Sequence, residues 1–210
     1  MRTRLLALCF VPLLAGCGYN TIQTLDEQAK AAQGQIEVQL QRRADLIPNL
    51  VNTVKGYAQH EQQVFDDVAK ARSGLVNAVQ THDPQQMANA NAQLTAGLGR
   101  LFAVAEAYPQ LKADQSFLRL QDELTGTENR IAVARGDYNQ AAQQYNTYIR
   151  RFPAVLTAKV ISAQQKPYFD VTNAAAREVP KVDFSAPGAA PASGGASTST
   201  PPPATPTPHP

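Results

Sequence analysis

The chain has 210 residues, enough for one domain and a tail, and its 19 Lys and Arg against 17 Asp and Glu leave a formal net charge of +2. Arg2 and Arg4 supply both excess positives, so the rest is near neutral, which excludes the basic face that nucleic-acid binding needs. Aromatic residues make up only 7 %, tryptophan is absent and Ala and Gln are abundant, a composition that favours long helices over sheet.

In chain order, the first element is a leader. Arg2 and Arg4 precede an apolar run from Leu5 to Leu14 that is too short to span hydrocarbon, and Leu14, Ala15 and Gly16 place small residues before Cys17. This reads as a bacterial lipoprotein signal over residues 1–16, removed so that Cys17 carries a thioether-linked diacylglyceryl group and a third acyl chain on its freed amine, such as palmitate. Two or more chains bind a membrane stably where one does not. Cys9 leaves with the signal, so the mature domain holds no free thiol, which suits an oxidising envelope. No other apolar run reaches transmembrane length.

Beyond Cys17 the apolar residues fall into four stripes at steps of three and four, the seam spacing of a left-handed bundle. The first runs Ile22, Leu25, Ala29, Ala32, Ile36, Leu40, Ile47, Leu50, Val54 and Tyr57, with Arg43 in its one polar slot. Pro48 lies inside it, without an amide hydrogen and against the carbonyl of Ala44; because the stripe keeps its phase, it predicts a kink rather than a stop. The second stripe is Val64, Val68, Ala71, Leu75 and Val79. Asp83 before Pro84 is a cap and start signal, followed by Met87, Ala90, Leu94, Leu98, Leu101 and Ala105. The fourth runs from Phe117, Leu120, Leu124 and Thr127 through Ile131, Ala134, Tyr138, Ala141 and Tyr145 to Tyr148 and Phe152, with Asp114 or Ser116 as its cap. Helix contact would account for Gly126 and Gly136 within it.

The expected fold is therefore all-α: residues 17–153 form an antiparallel up-down four-helix bundle with two long helices of about 50 Å and two shorter ones of about 30 to 35 Å. Residues 154–184 read as an extension with one short helix or an extended strip pinned by Tyr168 and Phe169. Residues 185–210 are rich in Pro, Ala, Ser and Thr with almost no charge, and read as a disordered tail serving as spacer or solubiliser, with peptidoglycan contact as the sharper alternative.

Two blocks resemble the LemA family: RRADLIPNLVNTVKGYAQHEQQVFDDVAKAR at Arg42–Arg72, and the segment from Tyr108 to Phe152 containing YPQLKADQSFLRLQDELTGTENRIAVARGDYN and YNTYIRRFP, with KPYF at Lys166–Phe169 beyond them. The resemblance implies an antiparallel helical bundle attached to a membrane at its N-terminus. It implies no reaction and brings no catalytic residues. The lipid-type signal and the Pro-rich tail depart from relatives that resemble single-span membrane proteins, and a lipidated Cys17 puts the bundle outside the cytoplasm.

Counting residues along antiparallel helices places charge from three of them at one level. Arg43, Asp45, Arg72, Glu128 and Arg130 are expected to form a mid-bundle polar layer that fixes register, or, more sharply, a small-anion site built from paired guanidinium groups. Metal and nucleophile chemistry lack their residues. His60-Glu61 has Val64 where a zincin has its second histidine, no Glu-x-x-His pair supports a di-iron site, and no nucleophile-elbow or phosphate-loop motif occurs. No catalytic residue, metal or cofactor is therefore expected. The function read from this pattern is a non-enzymatic, lipid-anchored envelope protein that binds another envelope or membrane protein. Gly18, where an aspartate would favour inner-membrane retention, points to the periplasmic face of the outer membrane. The runner-up is a carrier or sensor of a small ligand in the bundle interior.

Overall fold

A computed structural model describes the backbone from Arg2 to Asp170 and the side chains from Gly18 to Asp170. The expected lipidation at Cys17, the cleavage of residues 1–16, the 171–184 part of the extension and the tail at 185–210 lie outside the described residues.

Every element among the described residues is helical: α1 Arg2–Lys55, α2 Gln62–Gln80, α3 Pro84–Glu106, α4 Pro109–Lys112, α5 Gln115–Tyr148 and α6 Ala154–Val160. At 1.5 Å per residue, α1 with its 54 residues is about 80 Å long, longer than expected because the leader is helical too. The 34 residues of α5 span about 50 Å, and the 19 of α2 and 23 of α3 about 30 and 35 Å. The starts follow local chemistry. Asp83 accepts from the amides of Gln85 (2.8 Å) and Gln86 (3.3 Å), with Pro84 at the first helical position where its missing hydrogen costs nothing. At α5 it is Asp114, not Ser116, that caps, accepting from Ser116 N (2.8 Å) and Phe117 N (3.0 Å).

The pairing is readable from contacts far apart in sequence. Along α1 and α5, Tyr57 bonds Asp114, Arg43 bonds Glu128, Gln39 accepts from Arg130, and Ile22 packs with Tyr145 and Ile149. Numbers rise on one helix as they fall on the other, so the two are antiparallel. Arg100 reaching Asp67 sets α3 antiparallel to α2 in the same way. The turn between α2 and α3 touches α1 where His82 O accepts from Gln33 Nε2 (2.8 Å) and His82 Nδ1 lies 3.0 Å from Glu37.

The chain therefore has two regions. In the head, α1, α2, α3 and α5 share one core in which Leu40, Leu50, Val68, Leu75, Met87, Leu94 and Leu101 are fully enclosed. Truncating any one of these leucines to alanine would cost about 2–5 kcal/mol. The stripes named most of this core, but Phe65, Ala78 and Leu111 also belong to it; Leu111 arrives on α4, a single turn with no periodicity to announce it.

Past the turn at His82, α1 and α5 continue alone as a stem. Two pieces from the C-terminal side cover it: α6, whose Ala158 packs with Ile22 and Ile149, and the segment 163–170, which lies along α5. That segment has no sheet to pair with, so α5 supplies side chains in place of a neighbouring strand. Asn146 accepts from Lys166 N (2.7 Å) and donates to Lys166 O (2.8 Å); Asn139 accepts from Phe169 N (2.8 Å) and donates to Phe169 O (3.2 Å). Between them Tyr138 OH donates to Pro167 O at 2.7 Å. The spacings match: seven helical residues rise about 10.5 Å, and three extended residues span about 10 Å. Phe169 is buried, as expected of a pinning residue, but Tyr168 is exposed and pins nothing.

Two further expectations change. The seam of α5 drifts near its end, so that Ala142 and Ile149 are buried in place of Ala141 and Tyr148, and Phe152 lies beyond the helix at 82 % exposure. That drift is the mismatch between a 3.5-residue seam and a 3.6-residue helix. Gly136 has nothing within reach of an added Cβ and Gly126 meets only the guanidinium of Arg130, so helix contact explains neither. As expected, Pro48 does not stop α1, and the carbonyl it leaves without a backbone donor is satisfied from outside the helix.

Candidate functional site

Arg43 occupies the one polar slot of the α1 stripe and is 4 % exposed in the middle of the head. Enclosing a guanidinium costs several kcal/mol unless its hydrogens are taken up, and two other helices supply the acceptors. Its Nη1 donates to Asn91 Oδ1 of α3 at 2.6 Å and to the Glu128 carboxylate of α5; its Nη2 donates to Thr95 Oγ1 at 3.1 Å. Thr95 in turn donates to Asn91 O at 3.0 Å, closing the network on the α3 side. Nε is the one buried side-chain atom without a hydrogen-bond partner among the described residues. Burial pushes the guanidinium down from its ordinary value, and the Glu128 carboxylate pulls it back up. The layer opens to water at Glu128, whose side chain is 45 % exposed, and at Thr95, which is exposed on α3.

Arg72 reaches the same level from α2 but bonds the main chain: its Nε donates to Ala44 O at 2.8 Å. Ala44 is four residues before Pro48, so this is the carbonyl that Pro48, lacking an N–H, leaves unbonded. The side chain of one helix thus closes the gap that proline opens in another, and α1 runs on unbroken.

Asp45 and Arg130 stay outside. Asp45 is exposed and accepts from Gln41 at 2.9 Å on its own helix; Arg130 is exposed and donates to Gln39 Oε1 at 3.2 Å. The reason is angular. Each lies two residues from a layer member, Arg43 or Glu128, and two residues turn a helix by about 200°, to its opposite side. Conversely, Asn91 and Thr95 belong to the layer although level-counting passed over them. Their signal is an amide and a hydroxyl at i, i+4 beside the apolar stripe, with Asn91 among the buried residues of α3.

What this arrangement can do chemically is bounded by its geometry. Arg43 faces Asn91, Thr95 and Glu128, so its Nη1 and Nη2 groups are directed at protein acceptors. His60 and His82 are both exposed, and among the described residues no group of three His, Cys, Asp or Glu side chains could hold a metal ion. The larger hollows are surface grooves. One of about 500 Å³ runs over the outer face of α2 and α3, floored by Ala71, Gly74 and Gly97 and rimmed by Asp67, Lys70 and Arg100. No helix among the described residues is long and apolar enough to cross a membrane.

Residues 32–184 match the family model described as the LemA family. Magnetosome protein MamQ 2 of Paramagnetospirillum magneticum is 28 % identical over 174 residues, 72 % of this chain and 64 % of its own length. Magnetosome protein MamQ of Magnetospirillum gryphiswaldense is 27 % identical over the same shares. Protein LemA of Metamycoplasma hominis is 24 % identical over 165 residues, 78 % of this chain and 72 % of its own. The chain thus spans less than two thirds of the magnetosome proteins it matches. The matched region takes in α2, α3, α4, α5 and α6 whole, the C-terminal part of α1 from residue 32, Arg43 with all its partners, and both asparagines of the stem: the chain belongs to the LemA family.

Proposed function

We propose that this is a non-enzymatic envelope protein, an up-down-up-down four-helix bundle held at a membrane by lipid on Cys17, whose work is to bind another protein. The observation that carries the binding half is the groove over α2 and α3. An added Cβ at Gly74 would meet nothing within 4 Å, so a partner's backbone can come close there, and Asp67, Lys70 and Arg100 offer charge of both signs at the rim. The interior favours this over a carrier of small ligands: Tyr138, Leu40 and Leu94 fill the seam, and Arg43 is committed to protein acceptors, which suits a layer that fixes register rather than an anion site. The anchoring half is supported by Arg2, Arg4, the Leu5–Leu14 run and the small residues before Cys17, and Gly18 favours the periplasmic face of the outer membrane.

Photo-crosslinking in intact cells tests the first half. A crosslinker at Asn77 in the groove is expected to give a discrete adduct that Gly74→Trp abolishes, while one at Asn129 gives none; equal labelling at both positions defeats the reading. Cys17→Ser tests the second, and is expected to remove acyl labelling and release the protein from membranes. Full membrane retention by Cys17→Ser would reject lipid anchoring.

A further inference from the structure

At the free end of the stem, the residues after α5 present two faces of opposite use. Inward, Ala154 and Ala158 are buried, the latter against Ile22 and Ile149. Outward, Leu156 and Val160, one helical turn apart on α6, are 57 % and 84 % exposed, and Phe152 in the turn before it is 82 % exposed. A surface helix ordinarily puts polar side chains in such positions; here the solvent side carries an apolar stripe. Arg150, Arg151 and Lys159 are exposed around it, and from Tyr138 to Phe169 the chain contains no Asp or Glu. The nearest carboxylate along α1, Asp26, is already bonded by Lys30 at 2.7 Å and Lys166 at 2.8 Å.

The position of this stripe identifies its partner. Gly18, the residue next to Cys17, packs on α6, with an added Cβ lying 3.4 Å from Thr157 Oγ1, and the half-exposed Tyr19 stands at the same end. We infer that the Phe152–Val160 segment is a second membrane contact. Phe152, Leu156 and Val160 enter the boundary between headgroups and acyl chains, and Arg150, Arg151 and Lys159 meet the phosphates of anionic lipid. The inference rests on the reading that the chain is held at a bilayer through Cys17. With a contact on each side of the stem's end, the rod stands on the surface at a fixed tilt instead of swinging from a tether.

The lack of tryptophan allows a direct test, since Leu156→Trp creates the chain's one indole at an exposed site. The full chain is bound to vesicles of phosphatidylethanolamine and phosphatidylglycerol with brominated acyl chains. Bromine should quench Leu156→Trp by about twofold, because an inserted side chain sits at the acyl boundary. A Tyr57→Trp chain, labelled at the opposite end, should be unaffected. Val160→Trp should repeat the result of Leu156→Trp and guards against a local effect of one substitution. Flotation with the vesicles but no quenching of either α6 indole overturns this inference alone; failure to float overturns the anchoring reading and this inference with it. An indole shielded in the absence of vesicles, together with doubled mass, would assign the face to a second copy of the chain and also overturn it.

Discussion

In the head, where α1, α2, α3 and α5 enclose Leu40 and Leu94, register is carried by a guanidinium gripped from two other helices. In the stem, where only α1 and α5 remain, it is carried by two neutral amides that read the backbone of an extended segment. The head's device is strong and intolerant, because a buried charge must keep every partner. That of the stem is weaker and local. Each asparagine satisfies both backbone groups of one residue, so losing one frees a rung without exposing a charge. Cooperative stability should therefore be concentrated in the head, and the covering of the stem should open first.

The largest test of that contrast is Arg43→Ala, which leaves buried Asn91 without its donor and opens a void; it should destabilise the protein by about 3 kcal/mol. Arg43→Met, which refills the volume, should cost less than half as much. Both are read from the denaturant midpoint at unchanged m-value, and an Arg43→Ala chain as stable as the parent would end the assignment. Next in size is the link between Arg72 and Pro48. Arg72→Met should cost about 1–2 kcal/mol in the parent chain, and far less in Pro48→Ala, where residue 48 regains an N–H for Ala44 O. A double-mutant cycle measures the coupling, and strict additivity would show that Arg72 does not serve that carbonyl.

In the stem, Asn146→Ala should cost about 1 kcal/mol, felt locally. Hydrogen exchange should speed up at the Lys166 amide, less at Phe169, and not at Leu94; equal acceleration everywhere would make the stem part of the head's cooperative unit. The smallest effect is one of pH. Burial raises the Asp26 carboxyl, but hydrogen bonds from Lys166 and Lys30 outweigh it and hold the group below the ordinary aspartate value. A carboxyl depressed by folding stabilises above its unfolded pKa, and that contribution fades as pH falls through the lower folded value. Protection of the Lys166 amide should therefore decline in acid below about pH 4, and Asp26→Asn should abolish the decline.

The head was legible in the sequence because helical periodicity is a long signal: Leu40, Val68, Leu94 and Ile131 can each be placed by counting. Counting also set the level at which Arg43 meets Glu128 and Arg72 meets Ala44. It did not resolve angle, hence the exclusion of Asp45 and Arg130, and it could not show that Asn91 turns inward beside Ala90. The stem cover was legible in outline only. The 163–170 segment has no period of its own; the asparagines that hold it sit on another element, and nothing in the local sequence tells a bonding amide from a solvated one. Phe152 shows the same limit from the other side. It keeps perfect step with the α5 stripe, yet falls beyond the helix end, where step no longer determines direction.

The paired asparagines also constrain how this chain can vary in length. Asn139 and Asn146 face one side only because two near-whole turns separate them, and Lys166 and Phe169 meet them only because three extended residues cover the same distance. Inserting one residue between Asn139 and Asn146 would rotate one amide by about 100° away from its rung. Gaps in that interval should therefore be rare among relatives.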